Sequence, residues 1–128
     1  MNDTWTEIVP QLPVKNLQRA LDYYRDCLGF ELQWNYGENF ASVTRGNIRV
    51  FLALDDDRTD KSAESGYESN VINVYVEDVN AVFEELKARG ARILSAPEEK
   101  PWGTREFAFE DIDGHLFRVH TLPIDRTR

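Results

Sequence analysis

Cysteine is nearly missing from this chain. Cys27 stands alone among 128 residues, so no disulfide can form within it. That excludes the small, disulfide-stapled class of secreted domain and leads us to expect a cytoplasmic setting. No apolar run approaches the roughly 20 residues of a membrane-spanning helix, and no membrane partner is expected. The opening Met1-Asn2-Asp3-Thr4-Trp5 lacks the basic and apolar regions of a secretory leader. Positive charge is also scarce: 15 Lys and Arg stand against 23 Asp and Glu, a formal net charge of −8. Phosphate binding needs clustered Lys and Arg, so nucleic acid is excluded as a partner. The acidity is compatible with a cationic ligand, although it also serves plain solubility. What remains, 41% hydrophobic and 30% charged residues, is the composition of a globular protein able to bury a core as a single domain, 1–128.

What the chain does have is a repetition. Val14-Lys15-Asn16-Leu17 opens a helical pattern that closes at Gly29-Phe30, and Val76-Glu77-Asp78-Val79 opens another that closes at Gly90-Ala91. Val14, Leu17, Leu21 and Tyr24 match Val76, Val79, Phe83 and Leu86 at a constant offset of 62 residues. A period near half the chain length indicates two copies of one supersecondary unit, with a site expected where the copies meet.

Each copy reads β-α-β-β-β. The first unit spans 7–54. Glu7 to Val14 is a short β run whose Pro10 and Pro13 make it an edge or exchanged strand. Asn16 caps a helix carrying Leu17, Ala20, Leu21, Tyr24 and Leu28, and Gly29 stops it. Strands follow at Phe30 to Tyr36, Phe40 to Arg45 and Ile48 to Leu54, joined by turns at Gly37-Glu38-Asn39 and Gly46-Asn47. A polar linker, 55–69, is expected to be the most mobile segment. The second unit spans 70–121: a strand at Asn70 to Val76 and a helix capped by Asp78. A short strand at Arg92 to Ser95 and a hairpin of Arg105 to Glu110 with His115 to Thr121 complete it. After Leu122 a polar, frayed tail is expected. Asp111, Asp113 and Gly114 resemble the start of a calcium loop, but without later acidic ligands they read as the hairpin turn.

The fold class that follows is α+β, two βαβββ modules forming an open, barrel-like mixed sheet around a cup. Alternation along the strands assigns the walls. Ile48, Val50, Leu52 and Leu54 make the helix-covered face of their strand, leaving Arg49, Phe51 and Ala53 for the cup. In the last strand Phe117 and Val119 face the helix, and Leu116, Arg118 and His120 face the cup. Val71, Asn73, Tyr75, Val9 and Gln11 face it by the same logic.

These paired units, the helix Ala-Leu-Asp-Tyr-Tyr-Arg-Asp-Cys-Leu-Gly-Phe and the Asp-Ile-Asp-Gly-His turn together resemble the vicinal oxygen chelate superfamily, from Ile8 to Thr121. It includes glyoxalase I, extradiol dioxygenases, fosfomycin-modifying enzymes and bleomycin resistance proteins. Its enzymes hold a divalent metal in the cup, and the resemblance places the four ligand positions at about Val9, Phe51, Val71 and Arg118. Val and Phe have no donor atoms, and Arg is a fixed cation. Slipping each strand recovers only Gln11, Asn73 and His120, a feeble donor set. No metal and no cofactor is therefore expected.

The closer resemblance is to the bleomycin resistance branch, through Arg45-Gly46-Asn47-Ile48-Arg49-Val50, Pro101-Trp102-Gly103-Thr104-Arg105-Glu106-Phe107 and the proline-bearing first strand. Ile112 stands where that pattern has Pro. The resemblance implies a homodimer with two cups at its interface. It also implies non-catalytic binding of a small, partly aromatic antibiotic. The rival is an enzyme of the same fold, a metal-dependent or metal-free lyase or isomerase of the glyoxalase type.

Trp34, Phe40, Phe51, Tyr75, Trp102 and Phe107 are the candidate stacking surfaces, with Arg49, Asn73, Glu106 and Arg118 as polar anchors. Two of them have competing readings. Trp102 equally fits a plug at the end of the core, and Trp34 shares its period with the core residues Phe30 and Leu32. Trp5 is expected to pack across a dimer contact. Two guanidinium groups in one cavity favour an anionic ligand, unless each pairs with a carboxylate such as Glu106 or Glu110. Glu106 reads either as a general base or as half of a structural ion pair. His115 and His120 fall on opposite sides of one strand and cannot chelate together. No nucleophile and base stand together, so no catalytic residue is assigned.

Overall fold

The computed structural model describes residues 3–55 and 71–121. Apart from Asp55, the linker lies outside the described residues, as do Asn70 and the tail from Leu122. In the first unit β1 (Gln11–Val14), α1 (Leu17–Asp26), β2 (Glu31–Tyr36), β3 (Phe40–Arg45) and β4 (Ile48–Leu54) follow in order. The second repeats them as β5 (Val71–Val76), α2 (Val79–Arg89), β6 (Arg92–Glu99), β7 (Arg105–Glu110) and β8 (Leu116–Thr121). Each unit forms a four-stranded mixed sheet, β1-β4-β3-β2 and β5-β8-β7-β6, and the two sheets do not close on one another. The α+β class of two βαβββ modules is thus the architecture observed.

Local chemistry explains the elements. Asn16 Oδ1 accepts the Arg19 N–H at 2.8 Å and Asp78 Oδ1 the Ala81 N–H at 3.0 Å, so each helix begins on a side-chain cap. Gly90 ends α2 in the left-handed region, φ 89°, where a side chain would be strained. The strand β1 is shorter than the β run beginning at Glu7. It lies at a sheet edge and pairs in parallel with β4 alone, which tolerates the missing N–H of Pro13. By contrast β6 is longer than expected and reaches Glu99 through two register shifts.

The core lies between the sheets. Leu12, Val14, Val43, Val50 and Leu52 of the first sheet, Phe107, Phe109, Phe117 and Val119 of the second, and the helix residues Tyr24, Leu28, Val79 and Leu86 form one buried cluster. Each large apolar side chain so buried contributes about 2 kcal/mol. The Tyr24 ring packs edge-on against Phe30 at 5.4 Å and Phe117 at 6.5 Å, so α1 bridges the two sheets. Both sheets therefore turn their covered faces toward the shared helical layer and their open faces outward.

Polar contacts lock this arrangement. Tyr24 donates its hydroxyl to the buried Asp111 carboxylate at 2.6 Å, and Asp111 also accepts the N–H groups of Asp113 and His115, each at 2.9 Å. Tyr23 donates to the Glu110 carbonyl at 3.0 Å, and the His115 ring meets the Pro13 carbonyl at 2.7 Å. The Asp-Ile-Asp-Gly segment is thus a hairpin turn that clasps the first unit. On the far side Arg45 spans from the Leu28 carbonyl (2.8 Å) to Glu85 (2.6 Å), and Arg89 meets the other Glu85 oxygen at 2.8 Å. A Cβ at Gly29 would lie 2.7 Å from the Arg45 guanidinium, so glycine there leaves room for the bridge.

Tyr24→Phe is expected to cost about 2 kcal/mol by urea unfolding, since it strips a hydrogen bond from a buried carboxylate. The Glu85 carboxyl is held below its ordinary value of 4.5 by the Arg45 hydrogen bond above all, then by Arg89. The stability it contributes is fully present above pH 4.5 and is lost as pH falls through the lower folded value. The stability gap between the native chain and Glu85→Gln should accordingly close on acidification and stay constant from about pH 6 to 7, above the ordinary carboxylate range.

Candidate functional site

The open face of the first sheet carries an aromatic pad. Phe40 and Phe51 lie on adjacent strands, with Ser42 opposite Phe51 and Ala53 opposite Phe40. Strict alternation from Phe30 and Leu32 would bury Trp34. The pairing instead skips a residue, from Leu32 opposite Val43 to Trp34 opposite Ser42, so Gln33 forms a bulge. That bulge turns Trp34 onto the open face, where its ring lies 5.5 Å from both Phe40 and Phe51, themselves 5.2 Å apart. Trp34 is 39% exposed, large for an indole with two aromatic neighbours.

Arg49 stands beside this pad, its guanidinium 5.4 Å from the Phe51 ring centre. It is already engaged: Glu7 accepts at 2.6 Å and the Gln33 side-chain oxygen at 3.0 Å. The buried Ser42 hydroxyl donates to the same Gln33 oxygen at 2.7 Å. Glu7 and Gln33 thus hold Arg49. Neither stood out in the sequence, because Glu7 precedes β1 and Gln33 acts through a bulge.

A polar cluster occupies the open face of the second sheet. Parallel pairing sets Asn73 opposite Arg118 and Tyr75 opposite His120, and antiparallel pairing sets Glu106 opposite His120. His120 Nδ1 lies 3.0 Å from Glu106 Oε2 and its Nε2 2.7 Å from Asn73 Oδ1. Thr104 donates its hydroxyl to the same Glu106 oxygen at 3.3 Å. The Glu106 residue is only 7% exposed, while Tyr75, 56% exposed, sets its ring 5.6 Å from the imidazole. His120 is the group that alternation placed on this face without giving it a role. Its link to Glu106 depends on the β7–β8 register.

The remaining candidates divide. Trp102 lies in the turn between β6 and β7 and is 66% exposed, so it does not plug the core. Trp5 is also exposed. Phe107 requires a correction. It stands on the covered face of β7, 1% exposed and 5.3 Å from the α2 ring of Phe83, and so cannot stack on a ligand. Its neighbours Glu106 and Ala108 take the open side because alternate residues of a strand face opposite ways. The proposed pairing of Arg49 or Arg118 with Glu106 or Glu110 is replaced as well. Glu106 faces His120, and Glu110 lies 3.8 Å from Arg92.

The family's metal positions do not fit a metal here. Phe51 belongs to the aromatic pad and Arg118 is a cation. Among the described residues, no three His, Cys, Asp or Glu side chains converge. Of the alternative donors, Gln11 is on the first sheet while Asn73 and His120 are on the second. A cavity of about 320 Å³ lies elsewhere, between the Arg45–Ile48 turn and the covered face of the second sheet, and its walls are mainly aliphatic and aromatic.

Two βαβββ units with open, side-chain-bearing sheet faces define the structural class of this small α+β protein. Residues 7–119 match the model of the Glyoxalase/Bleomycin resistance protein/Dioxygenase superfamily, and the chain belongs to it. Among relatives, it is 29% identical to a metallothiol transferase FosB of Staphylococcus epidermidis over 84% of this chain and 77% of that protein. It is 28% identical to a bleomycin resistance protein of Geobacillus stearothermophilus over 84% and 90%, respectively. Among solved structures, TioX from Micromonospora sp. ML1 superposes with a TM-score of 0.71 at 25% identity, covering 93% of this chain and 98% of that one. A bleomycin-binding protein complexed with bleomycin superposes at 0.76 with 20% identity, over 92% and 99%.

Phe107→Ala is expected to cost about 4 kcal/mol in urea unfolding, as for other buried Phe truncations. Phe51→Ala should cost less than half as much, because its ring packs on an open face.

Proposed function

We propose that this protein binds a small, partly aromatic molecule without altering it, a reading supported by its similarity to proteins named for bleomycin resistance and bleomycin binding. The observation that carries this reading is the pad of Trp34, Phe40 and Phe51. Three rings gathered on an uncovered sheet face offer a flat apolar surface to a planar ligand. Because the two open faces look outward, the pad and the polar cluster meet only if a second copy sets its second sheet against the first. That geometry supports a homodimer with the cup shared between subunits. The cytoplasmic setting argued from Cys27 belongs to the same proposal.

The metallothiol transferase relatives keep an enzymatic reading in view, and the Glu106–His120–Asn73 chain gives it a specific form. Nδ1 faces a carboxylate and Nε2 the Asn73 side chain, so the imidazole is oriented by two partners and acts as an acid or base only where substrate displaces Asn73. It would be metal-free, since the donor set does not fit a metal.

Thermal unfolding should separate these readings, with bleomycin, copper-loaded bleomycin, and zinc or nickel alone as additives. Binding restricted to the folded state stabilises it by about 2.7 kcal/mol at a hundredfold excess over Kd. A saturable rise with the drug and none with metal is the expected result. A rise with metal alone would overturn sequestration.

A further inference from the structure

Among the described residues, the carboxylates Glu98, Glu106 and Glu110 of the second sheet each have a side-chain partner. Glu106 is met by His120, Glu110 by Arg92 at 3.8 Å and Glu98 by Lys100 at 3.3 Å. Arg118 stands in the middle of the open face of that sheet, between Asn73 on β5 and Ala108 on β7, and is exposed. Among the described residues it makes no ion pair. A guanidinium in water needs no partner, so its exposure alone assigns nothing. Its neighbours matter: Ala108 is too small to overhang it, and Asn73, whose oxygen is taken by His120, keeps its amide N–H groups for another acceptor. Tyr75 supplies an exposed ring on the same strand face.

We infer that the ligand of this face is an aromatic monoanion, an aryl carboxylate, with its carboxylate on Arg118 and Asn73 and its ring against Tyr75. This rests on the aromatic-ligand reading and names the chemistry of its polar end. One unmatched guanidinium compensates one negative charge, and its planar fork matches the two oxygens of a carboxylate. A dianionic phosphate would leave a charge uncompensated beside Glu106 and Glu110. The net charge of −8 opposes an anion only at long range. It is screened over about 8 Å at physiological salt, whereas the Arg118 contact is direct.

Isothermal titration of the full chain with 2-naphthoate, 2-naphthamide and 2-naphthylmethylammonium tests this. The three probes share one ring system and differ in charge. Naphthoate is expected to bind at least tenfold more tightly than the amide. Arg118→Gln should remove naphthoate's preference over the amide, with circular dichroism confirming the fold. Arg118→Lys, which keeps the charge but loses the fork, should recover only part of the preference. If the amide or the ammonium binds as well as naphthoate, or Arg118→Gln preserves the ratio, the inference is overturned while aromatic binding stands. The same holds if all three are silent but bleomycin stabilises the protein. Silence from every probe and from bleomycin overturns both.

Discussion

The buried carboxylate of Asp111 is the constraint on which the arrangement of the two sheets depends. An ionised oxygen removed from water costs several kcal/mol unless donors replace the lost hydration. Two of its donors are backbone N–H groups of its own turn, and the third is the Tyr24 hydroxyl from the other βαβββ unit. Burial and that same carboxylate raise the Tyr24 hydroxyl well above its ordinary ionisation range, so it remains a proton donor. Satisfying Asp111 therefore brings α1 against the β7–β8 hairpin. Once α1 lies there, the covered faces of both sheets share one helical layer and the open faces must look outward.

That outward orientation decides what the chain can do. One open face is aromatic, with Trp34, Phe40 and Phe51. The other is polar, with Glu106, His120, Asn73 and Arg118. Each is built on rigid strands, which suits a site that must hold its geometry. The bleomycin-binding protein shares the fold at only 20% identity, so a common fold leaves function to the side chains these two faces carry.

The units, helix caps, turns and most strand faces were legible in the sequence because they rest on local signals. Asn16 and Asp78 before apolar periodicity mark helix starts, and Ile48 to Leu54 alternates cleanly. The sequence was ambiguous where one residue changes the periodicity or where a partner comes from another strand. Trp34 is both a stacking candidate and in period with core residues, and the bulge at Gln33 decides for the open face. Aromaticity alone makes Phe107 a stacking candidate, although the same alternation that faces Glu106 outward turns Phe107 onto α2. Arg49 was left without Glu7, which sits before β1 and reaches it only in the folded chain.

Composition and spacing alone determined that this is an α+β chain of two matching βαβββ units. Period-2 and period-3.6 patterns, caps and glycine stops act over a few residues and need no distant partner. Tertiary structure alone decided which charges meet. Register set Glu106 against His120 and left Arg118 between Asn73 and Ala108, while the Tyr24–Asp111 bond turned the open faces apart. Hydrogen bonds and ion pairs act over about 3 Å, and no rule of sequence spacing brings residues 24 and 111 that close until the chain has folded.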